Sequence, residues 1–456
     1  MRALEAEIET LRQSQPMRVT GRVEALRGLT IVVAGLPIPV GSLVTIESGA
    51  TGVASPGEVV GFDGRLTTVM TLGQTAGVRP GDPVRGEQPT PTVPVSERML
   101  GRVIDALGEP IDGHGPIGMS ARGLLTPEPI SPMARKRIVD RLSTGVRAID
   151  CFTTLGKGQR IGVFAGPGVG KSTLMGSIAR GTSADVNVIA LIGERGREVR
   201  EFIDDALGEE GRKRSVVVVA TSDQSPLMRI RAAHTATAVA EHFRDRGADV
   251  MLMMDSITRY AHAQRQVGLA VGEPPATKGY TPSVFAMLPR LLERAGSLTG
   301  SGSITGVYTI LVEGDDMTDP VADAARGVLD GHIILDRGLA QRAHYPAIDV
   351  LDSVSRVAGD VTDPEFIAAR QEVLRLLAAY RKVEDLVQIG AYASGADPVA
   401  DTAIELRLTI DAILQQSPHA VAPFEESRKQ LLALAQRSAQ MILACQRAGA
   451  PGAGAA

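Results

Sequence analysis

The sequence predicts an α/β domain built on a parallel sheet, preceded by a small β-barrel and followed by a helical domain. Three observations support this order. Residues 18–92 contain short β-rich runs separated by Gly and Pro turns, which is typical of a small antiparallel barrel. Residues 96–355 alternate apolar strand candidates with helices. From residue 362 onward, apolar residues recur at helical spacing.

Composition narrows the class of protein. The chain has 456 residues, of which 44% are hydrophobic and 22% charged, as expected for a soluble protein of several domains. It has no apolar run of membrane-spanning length and no signal-peptide core, and its two cysteines indicate no disulfide framework. A net charge of −4 and an aromatic content of 3% argue against a nucleic-acid binder. We therefore expect a cytoplasmic protein.

The N-terminal residues 1–15 carry Leu4, Ile8 and Leu11 at helical spacing, with charged residues between them. This pattern predicts a short amphipathic helix that would be marginal by itself in water. Two interpretations stay open from the pattern alone: a solvated tail, or a segment that docks on a partner helix.

Five strand candidates and two long helices define the middle and the end of the chain. The strand candidates are residues 160–165, 187–192, 215–220, 250–255 and 304–312. Their nearly continuous apolar composition is typical of parallel strands covered on both faces. The helical candidates are residues 365–380 and 403–414, and residues 448–456 contain too little apolar bulk to fold.

Residues 166–173 form a complete G-x-x-x-x-G-K-[ST] motif between a strand candidate and a helix start. Its members are Gly166, Pro167, Gly168, Val169, Gly170, Lys171, Ser172 and Thr173. The glycines let backbone N–H groups surround phosphate oxygens, and the helix N-terminus adds partial positive charge. Lys171 is expected to reach the β- and γ-phosphates, and the Ser172 hydroxyl to ligate Mg²⁺. The motif therefore predicts binding of a nucleoside triphosphate.

Asp255 ends the apolar strand candidate 250–255. In a sheet that carries a phosphate loop, such a strand places an acid beside the loop, where it can hold Mg²⁺ through water. The alternative is a helix N-cap, because Ser256, Ile257 and Thr258 follow. The upstream phosphate loop favours the magnesium role.

Glu194 and Arg195 follow the strand candidate 187–192 in a charged turn. Hydrolysis needs a group that positions and polarises the attacking water, and Glu194 is placed for that role. Arg195 is a candidate to hold charge near the γ-phosphate. A surface loop with balancing charges accounts for the pattern equally well.

Taken together, four segments resemble the rotary-type ATPases related to the F1 catalytic subunit, with a RecA/F1-like core. They are residues 166–173, residues 193–199 (GERGREV), residues 252–261 (LMMDSITRYA) and residues 352–357 (DSVSRV). Within that superfamily the chain is more similar to the type III protein-export ATPases, at residues 272–285, 312–317, 389–392 and 395–397. The resemblance covers residues 18–435.

The resemblance implies roles that the spacing alone does not. Glu194 would be the water-activating carboxylate, and Arg195 would lie at the γ-phosphate. The local sequence around Arg356 is by itself typical of a surface residue. The family resemblance implies that Arg356 is an arginine finger that reaches the site of the neighbouring subunit. Tyr345 would stack on adenine, and Phe424 is a candidate second adenine contact. Non-catalytic rotary subunits have Gln where Glu194 stands, so an active ATPase is implied.

Several relatives of this superfamily are alternatives. A rotary ATP synthase subunit would carry an acidic loop that residues 390–397 lack, and an RNA translocase would carry base-stacking aromatics, of which residues 18–92 contain only Phe62. An assembly protein without turnover would not need Glu194, Asp255 and Arg356 together. Within the export branch the resemblance favours a flagellar ATPase, with an injectisome ATPase as the alternative.

The expected organisation therefore has five parts. They are a regulator-binding helix (1–17), an N-terminal β-barrel (18–92), the P-loop ATPase domain (93–358), a C-terminal helical domain (359–445) and a disordered tail (446–456). The resemblance further implies ATP and Mg²⁺ and a homohexamer. Its implied partners are a stator-like export regulator bound by residues 1–15, an export gate and substrate–chaperone complexes, at the periphery of the inner-membrane apparatus and without nucleic acid.

Overall fold

The computed structural model describes residues 19–49, 52–73, 76–88, 90–312 and 319–449. The regulator-binding helix expected at residues 1–17 and the last seven residues of the expected tail lie outside these ranges. None of the described helices is long and apolar enough to cross a bilayer.

The N-terminal part is a closed six-stranded barrel with the strand order β1-β2-β5-β4-β3-β6. Its strands are β1 (Thr20–Arg27), β2 (Thr30–Ala34), β3 (Leu43–Glu47), β4 (Ala54–Asp63), β5 (Leu66–Thr71) and β6 (Pro83–Gln88). Every second residue of β3 is buried, so Val44 and Ile46 point into the barrel while their neighbours face outward. Val23, Ile31 and Val69 complete this interior.

The central domain is a nine-stranded sheet with the order β19-β18-β12-β17-β15-β13-β14-β8, to which β16 adds at β17. The strands after the barrel are β7 (Thr92–Val95), β8 (Val103–Asp105), β9 (Ala121–Leu124), β10 (Arg141–Leu142), β11 (Leu155–Gly156), β12 (Arg160–Ala165), β13 (Val186–Ile192), β14 (Ser215–Ala220), β15 (Asp249–Asp255), β16 (Gly296–Ser297), β17 (Ser303–Leu311), β18 (Gly331–Leu335) and β19 (Ile348–Ser355). Neighbours from β18 to β8 pair in parallel, whereas β19 is antiparallel to β18.

Helices cover both faces of the sheet. They are α1 (Arg147–Phe152), α2 (Lys171–Gly181), α3 (Gly196–Glu201), α4 (Gly208–Lys213), α5 (Pro226–Arg244), α6 (Ile257–Ala270), α7 (Pro282–Leu292), α8 (Pro320–Val328) and α9 (Arg337–Gln341), with a π-helical turn at Phe202–Leu207. Side chains of β13 alternate between the two cores: Val188 joins the core under α5 to α8, and Ile189 joins the core under α1 and α2. Both faces are covered, which explains the apolar strand sequences.

Three helices complete the described chain: α10 (Pro364–Gln388), α11 (Pro398–Leu414) and α12 (Phe424–Gly449). Asp363 and Asp397 cap α10 and α11 by accepting hydrogen bonds from the backbone N–H groups of Phe366 and Val399, and a proline follows each cap at the first helical position. The three helices pack on one another through their apolar faces.

The predicted fold class, an α/β P-loop core between a barrel and a helical domain, is confirmed. The observed strands differ from the strand candidates by at most one residue at each end. The last helix runs on to Gly449, four residues into the stretch expected as a tail from 446, because Gln446, Arg447 and Ala448 are good helix formers that continue the turn.

Two leucines on α11 provide a matched test of the helical packing. Leu406 is fully buried and Leu408 is 83% exposed. We expect Leu406→Ala to lower the free energy of unfolding by about 2–5 kcal/mol, because it leaves a cavity between the helices. Leu408→Ala should change it by less than about 0.5 kcal/mol. Urea denaturation midpoints of both variants measure this difference. Equal midpoints would contradict the burial of Leu406 between the helices.

Candidate active site

The phosphate loop connects the end of β12 to the first turn of α2. Gly168 and Gly170 have φ angles of +77° and +92°, a region that glycine occupies without steric cost. A Cβ on Gly170 would also lie 3.7 Å from the ring of Tyr345. The loop therefore curls tightly, and the free backbone N–H groups at the start of α2 can receive an anion.

Lys171 lies at the start of α2 and forms an ion pair with the carboxylate of Asp255. Thr309 on β17 donates a 2.8 Å hydrogen bond to the same oxygen of Asp255. The carboxyl ends of β12, β17 and β15 are adjacent in the parallel sheet, which brings these side chains together. Ser256 caps α6 with its hydroxyl, so the alternative role of Asp255 as the helix cap is wrong.

Glu194 follows β13, the next strand along the same edge of the sheet. Its carboxylate is buried, and its Oε1 lies 3.6 Å from the Lys171 ammonium. Within the described residues this oxygen accepts no hydrogen bond. Burial raises the pKa of Glu194 to about 7, since it outweighs the nearby Lys171 charge, and Asp255 raises it further. A carboxylate with this pKa can accept a proton at neutral pH.

Arg259, which was not predicted from the sequence, places its guanidinium beside the Glu194 carboxylate. Its Nε lies 3.9 Å from Glu194 Oε1, whereas the Arg195 guanidinium pairs with Glu198 and is largely exposed. The structure therefore does not bring Arg195 into the cluster. The sequence signal that could have found Arg259 is its position in the first turn of the helix that follows Asp255.

A cavity of about 290 Å³ opens beside the phosphate loop. It is lined by Val146, Gly168, Val169, Gly170, Thr173, Leu174, Ser177, Leu335, Tyr345, Pro346, Ala347, Gln416, Ser417 and Pro418. Tyr345 is 42% exposed and its ring lies beside the loop, as a stacking surface for a base requires.

The wall opposite the phosphate loop, residues 416–418, was missed because it comes from the segment after α11, more than 240 residues beyond the loop. The backbone N–H of Gln416 donates a 2.9 Å hydrogen bond to the carbonyl of Tyr345. The Gln416 side chain accepts from the Arg147 N–H and donates to the carbonyl of Gly145. These bonds attach the helical domain to the pocket.

Phe424, the candidate second adenine contact, does not line this pocket. It is buried against Phe366, with ring centroids 5.4 Å apart, and the Arg141 guanidinium covers its ring at 3.4 Å. As the first residue of α12 it packs under the helical domain. The expectation that Phe424 contacts adenine is therefore wrong, because its ring packs in the hydrophobic core against Phe366.

Arg356 lies at the opposite edge of the sheet from the phosphate loop. Arg356 directly follows Ser355, the last residue of β19. Ser355 pairs with Gly331, the first residue of β18, so Arg356 lies near the amino end of β18 and away from its carboxyl end. The phosphate loop begins after Ala165, which pairs with Leu335, four residues beyond Gly331 on β18. At about 3.3 Å per residue, Gly331 and Leu335 are about 13 Å apart along the strand. The side chain is exposed. The structure therefore does not bring Arg356 to the site of its own chain.

The residues present fit a magnesium ion held largely by phosphates. Mg²⁺ usually takes one or two carboxylates together with phosphate oxygens and waters. Asp255 offers a buried carboxylate, and Ser172 an exposed hydroxyl on the first turn of α2. In the ranges that the structure describes, no three His, Cys, Asp or Glu side chains cluster as an all-protein cation site.

The fold and the site define a P-loop nucleotide-binding protein. Residues 145–355 match the nucleotide-binding domain of the ATP synthase alpha/beta family, and residues 362–433 match the T3SS EscN ATPase C-terminal domain. The chain belongs to the family of flagellum-specific and type 3 secretion system ATPases, as the sequence resemblance implied.

Individual relatives cover nearly the whole chain. The chain is 51% identical to a flagellum-specific ATP synthase of Treponema pallidum, over 91% of this chain and 93% of that protein. It is 48% identical to a type 3 secretion system ATPase of Xanthomonas euvesicatoria, over 93% and 95% of the two chains. The assembled ATPase EscN of enteropathogenic E. coli, solved with its central stalk EscO, is 41% identical, with a TM-score of 0.84 over 91% of this chain and all of that one.

The raised pKa of Glu194 predicts a pH dependence of hydrolysis. Only the ionised carboxylate accepts a proton, so kcat/KM for ATP should rise with pH, reach half its maximum near the pKa of about 7 and then level off. Below that pH it should fall about tenfold per pH unit. Steady-state rates from pH 5.5 to 8.5 measure this.

Glu201→Gln is the matched control, because Glu201 is an exposed carboxylate on α3 that pairs with Arg197. This variant should keep the profile, whereas Glu194→Gln should lose most of the activity at every pH. A flat kcat/KM profile in the unmodified protein would contradict the role of Glu194 as the base.

Proposed function

We propose that this protein is a homohexameric Mg²⁺-ATPase that promotes export of flagellar proteins through a type III apparatus. The observation that supports the proposal is that the proposed catalytic residues lie at two different edges of the sheet. Lys171, Glu194 and Asp255 meet at one edge of the sheet, while Arg356 is exposed at the other edge. Such a chain has a complete site only when a second copy supplies the arginine.

Phosphate binding is assigned to the loop and to Lys171. The N–H groups of residues 168–172 would surround the β-phosphate, and the Lys171 ammonium would pair with the β- and γ-phosphates. In this structure the ammonium is paired with Asp255, so arrival of the nucleotide exchanges one anionic partner for another. The magnesium ion, held by Ser172, Asp255 and the phosphates, would neutralise charge on the phosphate oxygens.

Glu194 is assigned as the residue that orients the attacking water and accepts its proton. It lies next to Lys171, so a water at its free oxygen would face the γ-phosphate. The pKa of Glu194, raised by burial, makes the carboxylate a better proton acceptor than an exposed one. Arg259 at 3.9 Å would balance the charge of this carboxylate, and we keep Arg195 as a further candidate at the γ-phosphate.

The base would stack on Tyr345 and fill the cavity between this ring and residues 416–418. The cavity walls are mostly apolar and carry hydroxyl groups from Thr173, Ser177 and Ser417. Because Gln416 bonds the Tyr345 carbonyl, the helical domain would help to close the pocket around the base.

The export role follows from the family to which the chain belongs. The match of residues 362–433 to the EscN C-terminal domain favours the export branch over ATP synthase, and flagellum-specific relatives favour flagellar over injectisome export. Residues 1–15 would bind a stator-like regulator, and substrate–chaperone complexes would be released toward an export gate at the inner membrane.

Mixing two inactive variants tests the shared site. Lys171→Ala cannot hold phosphate, and Arg356→Ala cannot supply the finger, so each homohexamer should hydrolyse ATP at least about 10³-fold more slowly than the unmodified protein. A mixture pairs an intact loop with an intact finger at some interfaces, and its activity should exceed that of either variant severalfold.

ATPase assays over a range of protein concentrations, with sedimentation of the same samples, provide the readout. A mixture no more active than its components, in samples that sediment as hexamers, would show that Arg356 does not act between subunits.

Replacing the chromosomal gene with Glu194→Gln in the native host tests the export role. The variant should bind ATP but support little hydrolysis, so flagellar filaments and motility should be lost while the protein is still produced. Normal motility together with loss of needle-type secretion would instead assign the injectisome role. The Glu201→Gln strain, with its exposed carboxylate removed, should remain motile.

A further inference from the structure

Asp330 connects Arg356 to the first residue of the strand that carries the phosphate loop. The Arg356 N–H donates to the carbonyl of Asp330 at 2.9 Å. The Asp330 N–H in turn donates to the carbonyl of Arg160 at 2.8 Å, and the Arg160 N–H donates to the Asp330 carboxylate at 3.0 Å. Asp330 is thus hydrogen-bonded both to Arg356, just after β19, and to Arg160, the first residue of β12.

The side chains reinforce this connection. Arg160 donates to the two oxygens of the Asp330 carboxylate from Nε and Nη2, at 3.1 and 3.2 Å. Such a two-pronged, charge-assisted pair fixes orientation as well as distance. Arg160 also pairs with Glu293, whose carboxylate receives Arg135 at 2.9 Å. The four alternating charges form a row along this edge of the sheet.

The backbone before Arg356 is fixed as closely. A Cβ on Gly331 would lie 2.3 Å from the carbonyl oxygen of Val354, so β18 and β19 touch without room for a side chain. Ser355 donates its hydroxyl to the carbonyl of Thr154 at 2.9 Å and accepts from the Gln159 amide at 3.0 Å. The backbone of Arg356 therefore leaves a rigid strand end, and its position is fixed by the bond to the Asp330 carbonyl.

We propose that the Asp330–Arg160 ion pair positions Arg356. The pair holds this arginine finger at the level along the strands that the neighbouring subunit's site requires. The proposal rests on the proposed function of Arg356. Because Arg160 begins β12 and the phosphate loop ends it, the pair also ties the finger of one subunit to the nucleotide site of the same subunit. Asp330 and Arg160 are positioning residues and touch no substrate.

Asp330→Asn is the decisive variant, because it keeps the size and the backbone bonds but removes the charge. A displaced finger should lower kcat about 10- to 100-fold, since a shift of about 1 Å costs about 10²-fold, with KM for ATP changed by less than about twofold. Asp352→Asn is the control. Asp352 is an exposed carboxylate on the same strand β19 that pairs with Arg381 at 3.3 Å, and this variant should keep the activity of the unmodified protein.

Mixed hexamers separate a displaced finger from a damaged nucleotide site. Mixed with Lys171→Ala, which supplies an intact finger, Asp330→Asn should gain activity severalfold. Mixed with Arg356→Ala, which supplies none, it should gain nothing. A lesion that reached the phosphate loop through β12 but spared the finger would give the reverse pattern, with a gain from Arg356→Ala and none from Lys171→Ala. That result, or no gain with either partner, would overturn the positioning role.

The reference mixture of Lys171→Ala with Arg356→Ala shows which idea has failed. If this mixture has no activity, the shared site is refuted and the positioning role with it. If it is active while Asp330→Asn alone equals the unmodified protein, only the positioning role is refuted. Should Asp330→Asn not form hexamers, Arg160→Lys, which keeps the charge but loses the two-pronged bond, should show the same asymmetry. Unchanged kcat in that variant would overturn the proposal.

Discussion

The close approach of Glu194, Lys171 and Asp255 is the constraint on which the rest of the site depends. Two carboxylates and one ammonium meet in a largely buried place, where the Lys171 ammonium is the cation that both carboxylates share. The parallel sheet makes this possible, because the carboxyl ends of β12, β15 and β13 open at one edge. The raised pKa of Glu194 is a direct result of burial at that edge.

Under the proposed function, the same sheet separates the two groups of residues that the reaction needs. Its parallel strands deliver the phosphate loop and the acids to one edge, whereas antiparallel β19 returns the chain and delivers Arg356 to the other. In the proposed hexamer, this one antiparallel strand would place the arginine of each copy away from its own nucleotide site and available to a neighbouring copy. The ion pair of Asp330 with Arg160 lies where the returning strand meets the strand that carries the loop.

Local sequence predicted which residues the sheet brings together wherever they follow directly from a strand. The phosphate loop, the acid that ends β15 and the acid after β13 were all identified, because each follows an apolar strand with its own signal. The base pocket was only half identified. Tyr345 was found by resemblance, but residues 416–418 carry no motif, and Phe424, an aromatic at a plausible place in the chain, packs instead against Phe366.

The sequence by itself determined the order of domains, the strands and the loop chemistry, since apolar periodicity and glycine spacing act over a few residues. Only the tertiary structure decided which charged side chains meet. Arg259 rather than Arg195 lies beside Glu194, because the helix after β15 passes that carboxylate while Arg195 turns outward to Glu198. Which of several arginines is near a buried acid depends on the packing of elements distant in the chain. The place of Arg259 just after Asp255 indicates that it is near the site, but it does not show which carboxylate the guanidinium reaches.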